Sequence, residues 1–196
     1  MLQFLALTSP GIEILLSDEL TKYGAQNVIQ KPEGVYFSAE LKTAYQICLW
    51  TRLASRVLLK IDAFECESVN SLQKATASID WQQWFNSDSF LAIDFVGKNR
   101  DIRNSQFGAL TVKDGIVDHF RERGEERPSI DKVNPDIRIQ ARLLKNEVVF
   151  YLDFSGRALF QRGYRQHSGA APLKENLAAA LVIRSGWLAD TSKPLL

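Results

Sequence analysis

Two stretches of this 196-residue chain gather side chains that can hold phosphate. The first is Gly97-Lys-Asn-Arg-Asp-Ile-Arg-Asn104, which offers Lys98, Arg100 and Arg103 with two asparagines directly before a run with helical spacing. Cations displace the counterions of phosphate, amide side chains donate to its oxygens, and the free N–H groups of a helix N-terminus add an anion contact. The second stretch places Arg157, Arg162 and Arg165 around Tyr164, a ring on which a base can stack. Lys98, Arg100, Arg103, Asn104, Arg157, Arg162, Tyr164 and Arg165 are therefore the expected nucleic-acid contacts, with the two segments acting as one surface. Blander readings stand beside this one. Asp101 offsets part of the loop's charge, so the loop also fits an ordinary solvated turn, and the second stretch fits a linker whose arginines bind carboxylates.

Other chemistry is missing. There is no glycine-rich dinucleotide fingerprint, no phosphate loop and no His-x-x-x-His. Ser168 beside His167 is adjacency in sequence and not the geometry of a nucleophile pair. Cys48 and Cys66, with His119 and His167, have no metal-ligand spacing, so both cysteines read as reduced, packed residues. Asp94 and Asp153 fall within strand-like runs, where pairing with an arginine is the simpler role. Trp81, Trp84 and Phe85 read as core between a helix and a strand rather than as a stacking platform. No catalytic, cofactor-binding or metal residues are expected in this chain.

Composition agrees with a globular protein: 45% of residues are hydrophobic and 24% charged. The net charge of +1 draws no polyanion by itself, but cations concentrate after residue 98. No apolar run reaches the roughly 20 residues of a membrane helix, and the N-terminus lacks the basic start of a signal peptide. The cytoplasm is the expected location.

The elements that must position the two basic stretches are read from periodicity. Leu2 to Thr8 predicts a strand, and Ser9-Pro10 an N-cap with proline in the first helical turn. Two short strands from Asn27 to Gln30 and Gly34 to Ser38 flank a turn. Leu41 to Trp50 then predicts a helix with Leu41, Ala44, Tyr45, Cys48 and Leu49 on its inner face, and Arg56 to Ala63 a further strand. This β-α-β-β-α-β order is that of ferredoxin-like domains. Next come a helix from Val69, a strand from Phe90 to Val96, and a helix from about Gln106 to Arg123 whose buried stripe is Phe107, Leu110, Val117 and Phe120. Asp136 to Leu144 and Glu147 to Phe154 alternate as a hairpin. Pro172 opens a last helix whose apolar face, Leu177, Leu181 and Trp187, needs a surface to cover it. Ser192-Lys-Pro-Leu-Leu196 looks like the entry to a strand, so a longer parent chain is expected. The fold class is α/β (α+β).

Several segments carry a family resemblance: Asp114-Gly-Ile-Val-Asp-His-Phe, Asn134-Pro-Asp-Ile-Arg, Leu152-Asp-Phe-Ser-Gly, Arg162-Gly-Tyr-Arg and Ala171-Pro-Leu-Lys-Glu-Asn-Leu-Ala-Ala-Ala. With Ile102-Arg-Asn-Ser-Gln-Phe-Gly and Trp50-Thr-Arg-Leu-Ala-Ser-Arg, they make the chain resemble the amino-terminal part of bacterial large-subunit ribosomal RNA guanine-N2 methyltransferases. The resemblance implies a ferredoxin-like subdomain at 1–54, an RNA-binding THUMP domain with a mixed sheet at 55–156, and a linker and helix at 157–196. In that family a Rossmann-like methyltransferase domain comes next, holding S-adenosylmethionine on an Asp-Pro-x-Cys-Gly-Ser-Gly-Thr loop. This chain stops where that loop would begin and has no Asn-Pro-Pro-Tyr motif. The implied role is to target large-subunit ribosomal RNA for the parent enzyme, the fragment alone being inactive and free of cofactor. A transfer-RNA-modifying THUMP methyltransferase and a protein-binding adaptor are the rival expectations.

Overall fold

A computed structural model describes residues 1–165, 167 and 169–192. Ser168 and the strand entry expected at residues 193–196 lie outside the described residues. Two compact units are present: residues 1–59 together with the stretch from Arg157 onward, and residues 60–156.

The first unit begins β1 (Leu2–Leu7), α1 (Glu13–Lys22), β2 (Gln26–Lys31), β3 (Gly34–Ala39), α2 (Leu41–Trp50) and β4 (Arg56–Glu65), of which residues 56–59 belong here. Its strands lie in the order β2-β3-β1-β4 with every neighbour antiparallel, the ferredoxin-like arrangement. Phe4 and Phe37 stack at 5.2 Å across β1 and β3, and Leu16, Leu20 and Ile47 bring the two helices onto the sheet, each fully buried. Each such side chain contributes about 1.5–3 kcal/mol of burial.

Three local expectations fail here. The first helix starts at Glu13 and not at Pro10, because Gly11 sits at φ +85, a left-handed turn that no helix can contain. The buried face of α2 is Ala44 and Ile47, while Leu41, Tyr45 and Leu49 are exposed. The last helix, α5 (Glu175–Arg184), begins after Pro172 rather than at it, and packs through Asn176 and Ala180. Small residues let α5 approach closely: Asn176 Nδ2 donates to Leu53 O at 3.4 Å and Arg184 to Gly11 O at 2.6 Å. Leu181 stays half exposed, as does Leu188 beyond the helix.

The second unit contains α3 (Val69–Ser78), a single 3-10 turn at Trp81–Gln83, β5 (Phe90–Val96), α4 (Ser105–Glu122), β6 (Ser129–Ile130), β7 (Ile137–Leu144) and β8 (Glu147–Asp153). Its sheet runs β8-β7-β5-β6, with β7 and β8 antiparallel and β5 parallel to both β6 and β7. A mixed sheet results, because the connection from β5 to β7 passes through α4 on one face. Trp81 is fully buried, donates Nε1–H to Thr76 O at 2.8 Å, and meets Phe150 edge to face at 6.1 Å, so the aromatic cluster is core.

The stripe predicted for α4 is turned by about one residue. Gly108, Thr111, Val112, Gly115, Ile116, His119 and Phe120 are buried, whereas Phe107 and Leu110 are exposed at 42% and 49%. The two glycines explain the rotation: a Cβ at Gly108 would lie 2.5 Å from the Phe95 ring, and one at Gly115 would lie 2.6 Å from Thr76 Cβ. A hydropathy pattern gives glycine no inward weight, yet here its missing side chain sets the contact.

Candidate nucleic-acid interface

The first basic stretch is a braced loop. Gly97 turns the chain at φ +108, passing so close to Leu143 that a Cβ would overlap its carbonyl oxygen. Asn99 then organises the residues after it. Its Oδ1 accepts from the N–H groups of Asp101 at 3.0 Å and Ile102 at 2.8 Å, its own N–H donates to Ile102 O at 3.0 Å, and its Nδ2 donates to Cys66 O at 3.3 Å. Ile102 is fully buried as the loop's anchor. Lys98, Arg100 and Arg103 are left exposed, and none forms an ion pair among the described residues. Arg103 Nε donates to Arg100 O at 3.3 Å, which leaves its terminal nitrogens available. Asn104 caps α4, its Oδ1 accepting from Phe107 N–H at 2.7 Å, so only its Nδ2 remains for a ligand.

Two helices run toward this loop. Gln73 and Ala77 of α3 meet Gly115 and His119 of α4, the same four-residue step on each, so the pair is parallel and both N-termini point to one end. Ser68 caps α3 in a reciprocal box with Ser71, and neither helix carries an acidic residue in its first turn. Arg100, Asp101 and Arg103 line a cavity of about 430 Å³ with Ser68, Val69 and Asn70. Ser68, Asn70 and Asn99 are not among the contacts expected from sequence. The Ser68-x-x-Ser71 spacing before an apolar run is the signal that could have found the first of them.

At the foot of this loop, burial pushes the Cys66 thiol up from its ordinary value, with a hydrogen bond from Ser71 opposing in part. The strand cations are engaged: Arg138 pairs with Asp94 at 3.1 Å, the role expected for that aspartate, and Arg142 donates to Gln140 at 3.0 Å.

The second basic stretch behaves differently within the first unit. Arg162 donates to four backbone carbonyls, those of Leu159, Cys48, Leu49 and Thr51, and so closes the C-terminal end of α2. Arg165 donates to Leu173 O at 2.7 Å and faces Glu175 at 3.8 Å. Arg157 is exposed with no side-chain partner among the described residues, and Tyr164 is 75% exposed. Tyr164 borders a cavity of about 380 Å³ with Trp50 and Phe160. The linker reading, with arginines engaged by the protein itself, thus describes Arg162 and Arg165, although their acceptors are mainly carbonyls.

Comparison with known families identifies both units. Residues 3–58 match the RlmL ferredoxin-like domain, and residues 66–153 match the THUMP domain. The chain joins an RlmL ferredoxin-like domain to a THUMP domain. Among curated proteins it is 64% identical over 194 residues to the ribosomal RNA large subunit methyltransferase K/L of Colwellia psychrerythraea, covering 99% of this chain and 27% of that protein. The chain thus spans about a quarter of the length of the curated relatives it matches. Among solved structures, a predicted N6-adenine-specific DNA methylase from Listeria monocytogenes superposes with a TM-score of 0.81 at 26% identity, covering 95% of this chain and 49% of that one. A structure solved with SAH and named as a putative methyltransferase gives 0.80 at 25% identity, covering 95% and 49%. The basic loop lies inside the matched THUMP domain, and the Arg157–Arg165 stretch lies beyond it.

Proposed function

We propose that this chain is the RNA-gripping region of an S-adenosylmethionine-dependent methyltransferase acting on the exocyclic N2 of a guanine in large-subunit ribosomal RNA, in the cytoplasm. The observation that carries the reading is the braced loop: three exposed cations without carboxylate partners among the described residues, on a loop fixed by Asn99 beside the N-termini of two parallel helices. Such a surface holds phosphates by charge and by main-chain N–H groups, and it suits A-form RNA, which is recognised through shape and backbone. Arg157 and Tyr164 extend the proposed contact set. Arg162 and Arg165 act on it indirectly, by holding the segment that carries Tyr164.

The proposed division of the chain is a ferredoxin-like part at 1–54, a THUMP part at 55–156, and a linker with the first helix of the next domain at 157–196. S-adenosylmethionine would supply the methyl group. In this proposal the chain's own residues bind and orient RNA for a transfer carried out elsewhere in the parent protein.

Filter binding of a ribosomal RNA stem-loop across salt concentrations tests the proposal. Changing Lys98, Arg100 and Arg103 together to Ala should flatten the logarithmic salt slope by about 2 to 3, at roughly 0.7 per phosphate contact to a single strand and roughly 0.9 to a duplex. Affinity should fall for all RNA sequences alike. An unchanged slope and affinity would return the loop to solvated surface and favour the adaptor reading.

A further inference from the structure

We propose that the open edge of β5 accepts a second polypeptide as an added strand, an extended segment alternating apolar and acidic side chains. The short β6 pairs with β5 only at Phe90–Ser129 and Leu91–Ile130, and Asp131 N–H closes that ladder on Leu91 O at 2.9 Å. On the opposite side Asp136 N–H reaches Phe90 O at 2.8 Å, and β7 pairs with β5 through to Val96. Main-chain groups of successive strand residues point to opposite edges. Ile93 and Phe95, in phase with Leu91, therefore direct their N–H and C=O groups to the side that β6 has left, and no described strand continues there. An unpaired edge of this kind is a ready template for another chain.

The space beside that edge is shaped for side chains. A cleft of about 870 Å³ lies between β5 and the first two turns of α4. Its apolar wall is Ile93, Leu110 and Ile130, the last two 49% and 42% exposed. The exposure of Leu110, which helical periodicity alone would bury, gains a reason here. The rim is cationic: Arg138 is paired with Asp94 and Lys113 with Asp114, while Lys132 is exposed without an ion pair among the described residues. Apolar walls beside free main-chain donors and acceptors fit a peptide strand better than a sugar-phosphate chain, and Lys132, with the excess of cations over Asp94 along the rim, favours carboxylates between the apolar residues. The open edge from Ala92 to Val96 gives room for a strand of about four residues at roughly 3.3 Å each.

A display library of short unstructured peptides, panned on the whole chain and counter-selected on its Leu110→Glu variant, tests the inference. Recovered peptides should alternate apolar with Asp or Glu, and the amides of Ile93 and Phe95 should become protected from hydrogen exchange when a synthetic copy binds. Leu110→Glu and Lys132→Glu, both at exposed positions, should each weaken that binding about ten-fold or more, as losing one leucine-sized contact or one charge at the rim does. The inference is overturned if no alternating sequence is enriched, if bound peptide leaves both amides unprotected, or if a short oligoribonucleotide protects them and displaces the peptide.

Discussion

The guanidinium of Arg162 donates to the carbonyl of Cys48 at 2.8 Å, at the end of α2. Leu49 O at 2.9 Å and Thr51 O at 3.2 Å share the same group, and carbonyls at a helix C-terminus have no partner within the helix. Arg162→Ala should therefore destabilise the chain by about 2–3 kcal/mol, the range for removing charged hydrogen bonds from partly buried partners. Lysine should restore little of this, since an ammonium lacks the planar fork that reaches several carbonyls at once. Thermal unfolding gives the answer. A variant that melts like the parent but binds RNA less well would make Arg162 an RNA contact after all.

Asn99 and Asn104 should separate positioning from charge. Asn104→Ala removes the cap of α4 and should cost about 1 kcal/mol. Asn99→Ala removes the acceptor of the Asp101 and Ile102 amides, so those amides should exchange faster while the chain stays folded. RNA affinity should drop with the Asn99 change although no charge is lost, and the salt slope should stay as it was. A slope that falls along with affinity would mean that phosphate contacts themselves had gone.

Gly97→Ala is expected to be among the most damaging single changes in the second unit. Its Cβ would overlap Leu143 O, and the backbone sits at φ +108. Both the clash and the left-handed strain act together, for a loss of about 3 kcal/mol or more. Urea unfolding measures it, and a midpoint unmoved by the alanine would show that the loop relaxes freely.

The Cys66 thiol, raised by burial, sets a pH dependence. The folded state favours the neutral thiol, so its contribution is fully present below the ordinary thiol pKa and is lost as pH rises through the folded value. Tyr23 is shifted in the same direction, by burial first and then by Glu19, and acts in the same alkaline window. Melting temperature should fall above about pH 9, and Cys66→Ala should make that fall shallower. In the native protein at about pH 8, Cys66 should also react slowly with a thiol reagent, because little thiolate is present and the side chain is buried. Rapid labelling of Cys66 would contradict the burial argument.

Residue order alone carried the strands and helices, because two periods, alternation in β5, β7 and β8 and helical spacing in α2, α3 and α4, leave a direct trace in hydropathy. The β-α-β-β-α-β order was enough for the first fold, and the basic loop was visible as charge before a helix. Composition could not say which way each helix turns. Phe107, Leu110, Leu41, Tyr45 and Leu49 satisfy an apolar stripe as well as the residues that are buried, and the choice falls to Gly108, Gly115 and Ala44, whose small size permits close approach. Nor does a list of arginines show which are free. Arg100 and Arg162 are equal as residues, yet one faces solvent from a loop fixed by Asn99, and the other closes a helix more than a hundred positions earlier in the chain. Hydrogen-bond partners that distant are chosen by the fold, so local sequence holds no record of them. The free edge of β5 arises in the same way: a two-residue β6 is too short to leave a periodic signal, and its brevity is what exposes the strand beside it.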